Sequence, residues 1–154
     1  MLCGMTAVTV LTAAKINQRR VERRLVRAGY AVAPGDGGVQ VSRHGRWDAV
    51  TMTVGRLAGL PLDSIDAARR LLGRPPRTGV TCSFEGPAGS SDSWPTVVGI
   101  ARAVATQVPL AVLDDHSGTR YLVHAKRGLI GPEEYDRVRG RPTTADFLRR
   151  LLGG

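Results

Sequence analysis

Trp94-Pro-Thr-Val-Val-Gly-Ile-Ala-Arg-Ala-Val-Ala105 is the stretch that decides the fold, because a helix over 94–106 would be apolar on nearly every side, with Arg102 its one charge. A helix of that kind is stable only when it is buried. Pro95 fits the first turn, where backbone donors have no intrahelical partner, and Ser91, Asp92 or Ser93 would cap it. The flanks supply the cover. Residues 79–84 (Gly-Val-Thr-Cys-Ser-Phe) have strand character, and 110–113 and 120–124 form a hairpin across Asp114-Asp115-His116-Ser117-Gly118.

The first half repeats this order. Residues 6–12 are rich in β-branched types and are expected to be a strand. A helix over 14–28 places Ala14, Val21, Leu25 and Ala28 on one face and stops at Gly29. Strands at 30–33 and 39–42 enclose Pro34-Gly35-Asp36-Gly37-Gly38, whose glycines permit a tight connection. A third strand, 49–54, follows a turn at His44-Gly45-Arg46 and alternates Val50, Met52 and Val54 with Thr51 and Thr53. Segments 6–54 and 79–124 are therefore expected to be repeat halves of one α+β domain spanning 1–154. The expected architecture is a two-layer sandwich: a mostly antiparallel sheet with helices on one face, built from two β-α-β-β units. A short helix within 57–76, capped by Asp63 or Ser64, connects the halves, and a helical tail at 132–154 docks through Phe147 and Leu151.

A chain of 154 residues fills one core, and no apolar run approaches the roughly 20 residues a membrane span requires. The first residues have no basic segment of the kind a secretory signal carries, so a cytoplasmic location is expected, with Met5 as an alternative start. The two cysteines, Cys3 and Cys82, match no metal or redox spacing and are expected to be reduced thiols. Net charge is +9, but 20 of the 22 basic residues are Arg, which points to a GC-rich bacterial genome as much as to a polyanionic partner. Distribution is more informative than the total. Up to Val80 there are 13 basic and 5 acidic residues, against 9 and 8 beyond it, so an electrostatic function belongs to the first half.

Within that half, Arg20, Arg23, Arg24 and Arg27 recur at helical spacing and form one stripe about 100° wide, set away from the apolar face. Guanidiniums in a row grip phosphates or carboxylates through paired hydrogen bonds. Arg43, Arg46, Arg74 and Arg77 are candidates to extend the patch. Nucleic-acid recognition would call for aromatic side chains among the basic ones, and aromatic content is 5% with no reading module in the sequence. A catalytic alternative uses Asp115 with His116 or His124, beside Asp114, although Asp and Ser are also what a turn selects. Cys82 has no adjacent His to activate it, the Gly- and Ser-rich loop before Trp94 lacks the Lys-Ser/Thr ending of a phosphate loop, and Trp94 is expected to be a packing anchor. No cofactor and no metal site is expected.

The stretch from Trp94 to Val123, an alanine-rich helix followed by a hairpin with an Asp-rich turn, resembles small bacterial immunity-type proteins. The resemblance covers about 30 residues and implies a non-enzymatic protein that binds a toxin partner tightly. Proteins that bind cationic nuclease toxins are commonly acidic, whereas this chain is basic. The expected function is thus a non-catalytic protein-binding domain, of immunity or adaptor type. Phosphate-backbone binding through the arginine stripe is the first alternative, and a small enzyme using Asp115, His116 or His124 the second.

Overall fold

A computed structural model describes residues 5–43, 49–55, 57, 60–86, 91–116, 120–126 and 128–130. Eight strands form one antiparallel sheet: β1 (Met5–Thr12), β2 (Tyr30–Gly35), β3 (Gly38–Arg43), β4 (Val50–Gly55), β5 (Thr78–Glu85), β6 (Ala111–Asp114), β7 (Arg120–His124) and β8 (Gly128–Ile130). Three helices accompany them: α1 (Gln18–Arg27), α2 (Leu62–Leu72) and α3 (Trp94–Ala105). The spatial order β2-β3-β4-β5-β1-β6-β7-β8 puts the two longest strands, β1 and β5, at the centre, paired over eight residues from Met5↔Glu85 to Thr12↔Thr78.

Two crossovers build this sheet. Helix α1 carries the chain from the centre past β5, β4 and β3 to the edge strand β2, whereas α3 passes only β1 on its way to β6. The order strand, helix, three strands occurs twice, but the first meander joins the centre by its last strand and the second by its first. Pro34 lies on edge strand β2, where its missing N–H removes no ladder bond needed by a neighbour.

Strand alternation divides the core in two. Val8, Val10, Val80, Cys82, Phe84, Ala111, Leu113 and Val123 point to the face covered by α1 and α3. Their alternates Leu11, Val112 and Leu122 point to the reverse face and pack with Ala68, Leu71 and Leu72 of α2. The α+β sandwich thus has its two principal helices on one face, and α2 covers the β1–β6–β7 end of the other. In α3, Thr96, Val97, Ile100, Ala101, Ala103, Val104 and Ala105 are buried, as an apolar helix requires. Trp94 anchors its start, with ring centroids 6.2 Å from Phe84 and 6.1 Å from Tyr121.

Local chemistry shifts two boundaries, the starts of α1 and α2, from their sequence expectation. Helix α1 begins at Gln18 and not at 14, because the Asn17 side chain accepts from the Arg20 N–H at 3.1 Å and caps the helix there. Asp63 and Ser64 lie inside the first turn of α2, whose cap is Pro61; its other end stops at Gly73, with φ 74° in the left-handed region that glycine adopts without penalty. Ser93 caps α3 without a side-chain bond, while the Ser91 hydroxyl accepts from the Ser93 N–H at 3.2 Å and donates to the Glu85 carbonyl at 2.6 Å. Strand β8, three residues long, has no sequence pattern to announce it. Cys3, the turn at His44-Gly45-Arg46, and the tail at 132–154 lie outside the described residues. No helix among the described residues is long and apolar enough to cross a membrane.

Candidate binding surface on the first helix

Helix α1 is held by few residues. Val21 and Leu25 are its buried positions, four apart and therefore on one side. Gln107, just beyond α3, clamps the start of α1: its side chain accepts from the Asn17 N–H at 3.0 Å and donates to the Asn17 carbonyl at 3.1 Å. The helix consequently lies on α3 with the opposite side open. Arg20, Arg23 and Arg27 are exposed on that open side, and Arg24 is exposed on its flank.

Among the described residues nothing neutralises the stripe. Arg23 donates from Nε to the Arg19 carbonyl at 3.4 Å, and among the described residues no carboxylate makes an ion pair with any of the four guanidiniums. Glu22, one residue from Arg23 on the helix, is half-buried and also makes none. Four unpaired cations along one helix side repel one another, a cost a purely structural surface would relieve with i,i+4 carboxylates.

The proposed extension divides. Arg43 is half-buried in β3, opposite Tyr30 in register and so near the end of α1, and its Nη2 donates to the Asp92 carbonyl at 3.0 Å. Arg74 and Arg77 are exposed at the other end of the sheet, where the Arg77 N–H donates to the Thr12 carbonyl at 2.7 Å. Arg46 lies outside the described residues.

Between α1 and α3 is a cleft of about 290 Å³, lined by Arg24, Ala28, Tyr30, Gly99, Arg102 and Ala103, among others. Tyr30 packs directly on Gly99: a Cβ there would stand 2.6 Å from the Tyr30 Cζ, so only glycine admits the ring. Arg102 is fixed by donating from Nε to the Ala125 carbonyl at 2.9 Å and from Nη2 to the Lys126 carbonyl at 3.1 Å. The Tyr30 hydroxyl makes no hydrogen bond among the described residues. Sequence patterning did not single out Tyr30, Gly99 or Arg102. The available signal was a glycine inside an otherwise Ala- and Val-rich helix, which marks a close approach.

Among the described residues, Asp114 and His116 lie together at one end of the β6–β7 pair and His124 at the other. Asp114 is fully buried and serves as an acceptor hub: Oδ1 takes the His116 N–H at 2.8 Å and Oδ2 takes the Arg120 Nε–H at 2.9 Å. That geometry holds His116 at φ 65° and brings its Nε2 to 2.8 Å from the Thr9 hydroxyl. Thr9 is 1% exposed, so its oxygen is closed to a substrate. Asp115 follows β6, half-buried. His124 pairs with Gly128 at the far end of β7, four residues from Arg120 and hence roughly 13 Å from the Asp114 end. Burial pushes the Cys82 thiol up to about 12, which keeps it protonated and unreactive near neutrality. Among the described residues, no group of three or more His, Cys, Asp and Glu side chains is arranged to hold a metal ion.

Comparison of the chain with protein-family models, curated proteins and solved structures returned no match.

Proposed function

We propose that this protein is a non-catalytic binding domain whose α1 face docks on an acidic surface of another protein. The exposed row Arg20, Arg23, Arg24 and Arg27, which has no ion pair among the described residues, carries this reading, because an external anion can complete such a row. The row spans about 11 Å along the helix, which matches a local acidic patch on a protein. A duplex-binding face commonly neutralises on the order of 6–10 phosphates. Within α1 itself no aromatic residue interleaves the four arginines as base stacking would require, and this too favours a protein partner. The domain is then an immunity-type or adaptor protein of the bacterial cytoplasm, a location that suits the buried reduced Cys82.

The test uses two baits in native lysate at moderate salt, the wild-type chain and a variant with all four arginines changed to Gln. A stoichiometric protein held by the wild type, lost by the variant and indifferent to nuclease treatment supports the proposal. Nuclease-sensitive capture would assign the stripe to nucleic acid, and equal capture by both baits removes the stripe from the interface.

A further inference from the structure

Resting on that proposal, we infer that the cleft between α1 and α3 is the anchor point of the interface and receives one carboxylate side chain, Glu or Asp, of the acidic partner. Three residues that carry donors, Arg24, Tyr30 and Arg102, line it. Arg102 is pinned by the Ala125 and Lys126 carbonyls, which consume Nε–H and one Nη2–H. A guanidinium has five N–H donors, so three remain, on a side chain whose rotameric freedom is already lost. Arg24 lines the cleft from α1, and neither its guanidinium nor the Tyr30 hydroxyl, lodged over Gly99, has an acceptor among the described residues.

Size and lining select the occupant. The volume of about 290 Å³ lies at the lower edge of the range for small-molecule sites, roughly 300–1,000 Å³, and suits one side chain better than a cofactor. Ala28, Gly99, Ala103 and Ala125 give an apolar lining against which the methylenes of a Glu would lie while its oxygens meet the guanidiniums. Paired, charge-assisted hydrogen bonds to a guanidinium already held in place, as Arg102 is, are stronger than single pairs along the rest of the stripe. Arg24 belongs to both features and is therefore unequal to its neighbours, although all four carry the same charge.

That inequality is the test. Anisotropy of a fluorescein-labelled ten-residue oligo-glutamate peptide is measured against the wild type and the single variants Arg20→Gln, Arg23→Gln, Arg24→Gln and Arg27→Gln. An oligo-glutamine peptide and a ten-nucleotide single strand serve as comparisons. The cleft predicts a loss of roughly tenfold or more for Arg24→Gln and about two- to threefold for the others. Tyr30→Phe should weaken the glutamate peptide several-fold while leaving the melting curve in place. Gly99→Ala, which displaces Tyr30, should do the same in a chain shown by circular dichroism to be folded.

Equal losses at all four arginines with no effect of Tyr30→Phe would overturn the cleft and leave the stripe proposal standing. No loss at any arginine, or no glutamate binding by the wild type, would remove both. Tighter binding of the nucleotide strand than of the glutamate peptide would overturn the carboxylate assignment in favour of phosphate.

Discussion

Helices α1 and α3 occupy equivalent places in the two β-α-β-β-β segments and lie side by side on one face of the sheet, yet they meet water in opposite ways. Of α3's twelve residues seven are buried; of α1's ten only Val21 and Leu25 are. Both helices follow a central strand, so position in the chain order does not explain the contrast. Side-chain chemistry does: α3 contributes apolar volume to the core from most of its residues, while α1 uses two anchors and turns four cations outward. One helix holds the fold and the other presents a surface, and substitutions in the two should fail in different ways.

The largest effect should come from α3. Ile100→Ala removes a fully buried side chain from the core on the α1 and α3 face and should destabilise by about 2–5 kcal/mol in denaturant unfolding, without touching the arginine face. The matched truncation on α1, Val26→Ala, acts on a side chain 58% exposed and should stay within about 0.5 kcal/mol of wild type. A small effect at Ile100 and a large one at Val26 would reverse the assignment of the two helices.

Next in size is the acceptor hub below the β6–β7 turn. Asp114→Ala leaves the His116 N–H and Arg120 Nε–H without their buried acceptor and should cost about 1–3 kcal/mol by the same unfolding measurement. Asn17→Ala removes the side-chain cap that fixes where α1 begins and should cost about 1 kcal/mol, with fraying confined to α1 in amide exchange.

The effect that vanishes at neutral pH concerns titration. Cys82 has its pKa raised from 9.0 to about 12 in the folded chain, so above pH 9 the unfolded state loses this proton before the native state does. Stability from this group is intact below pH 9 and declines as pH rises from 9 toward 12, and Cys82→Ala should abolish that component of the slope. Neutral-pH alkylation of the native chain at Cys82 should be slow.

Much of the fold was legible because burial leaves a period in the sequence. The alternation of Val50, Met52 and Val54 and the all-apolar run around Ile100 state which faces are inside, and those elements form as expected. The cover of the reverse face by α2 was less legible. Leu11, Val112 and Leu122 identify a second core only once strand pairing is known, since an apolar residue on an otherwise polar strand face does not say which helix meets it. Strand β8 has three residues and no room for a period. Spacing sufficed for the arginine stripe, whose outward direction follows from Val21 and Leu25. The cleft beside it depends on Tyr30 and Gly99, 69 positions apart in the chain and adjacent only through packing. The Asp114–Arg120 pair has a trace in the sequence, opposite charges at the two ends of a hairpin turn, that was open to notice.

The most direct measurement takes the chain with Arg20, Arg23, Arg24 and Arg27 all changed to Gln and records its thermal unfolding and its affinity for the oligo-glutamate peptide on the same preparation. Division of labour between the helices predicts a melting temperature at or slightly above that of the wild type, because four mutually repelling cations are gone, together with loss of peptide binding. A variant that melts much earlier, or one that binds as the wild type does, would contradict it.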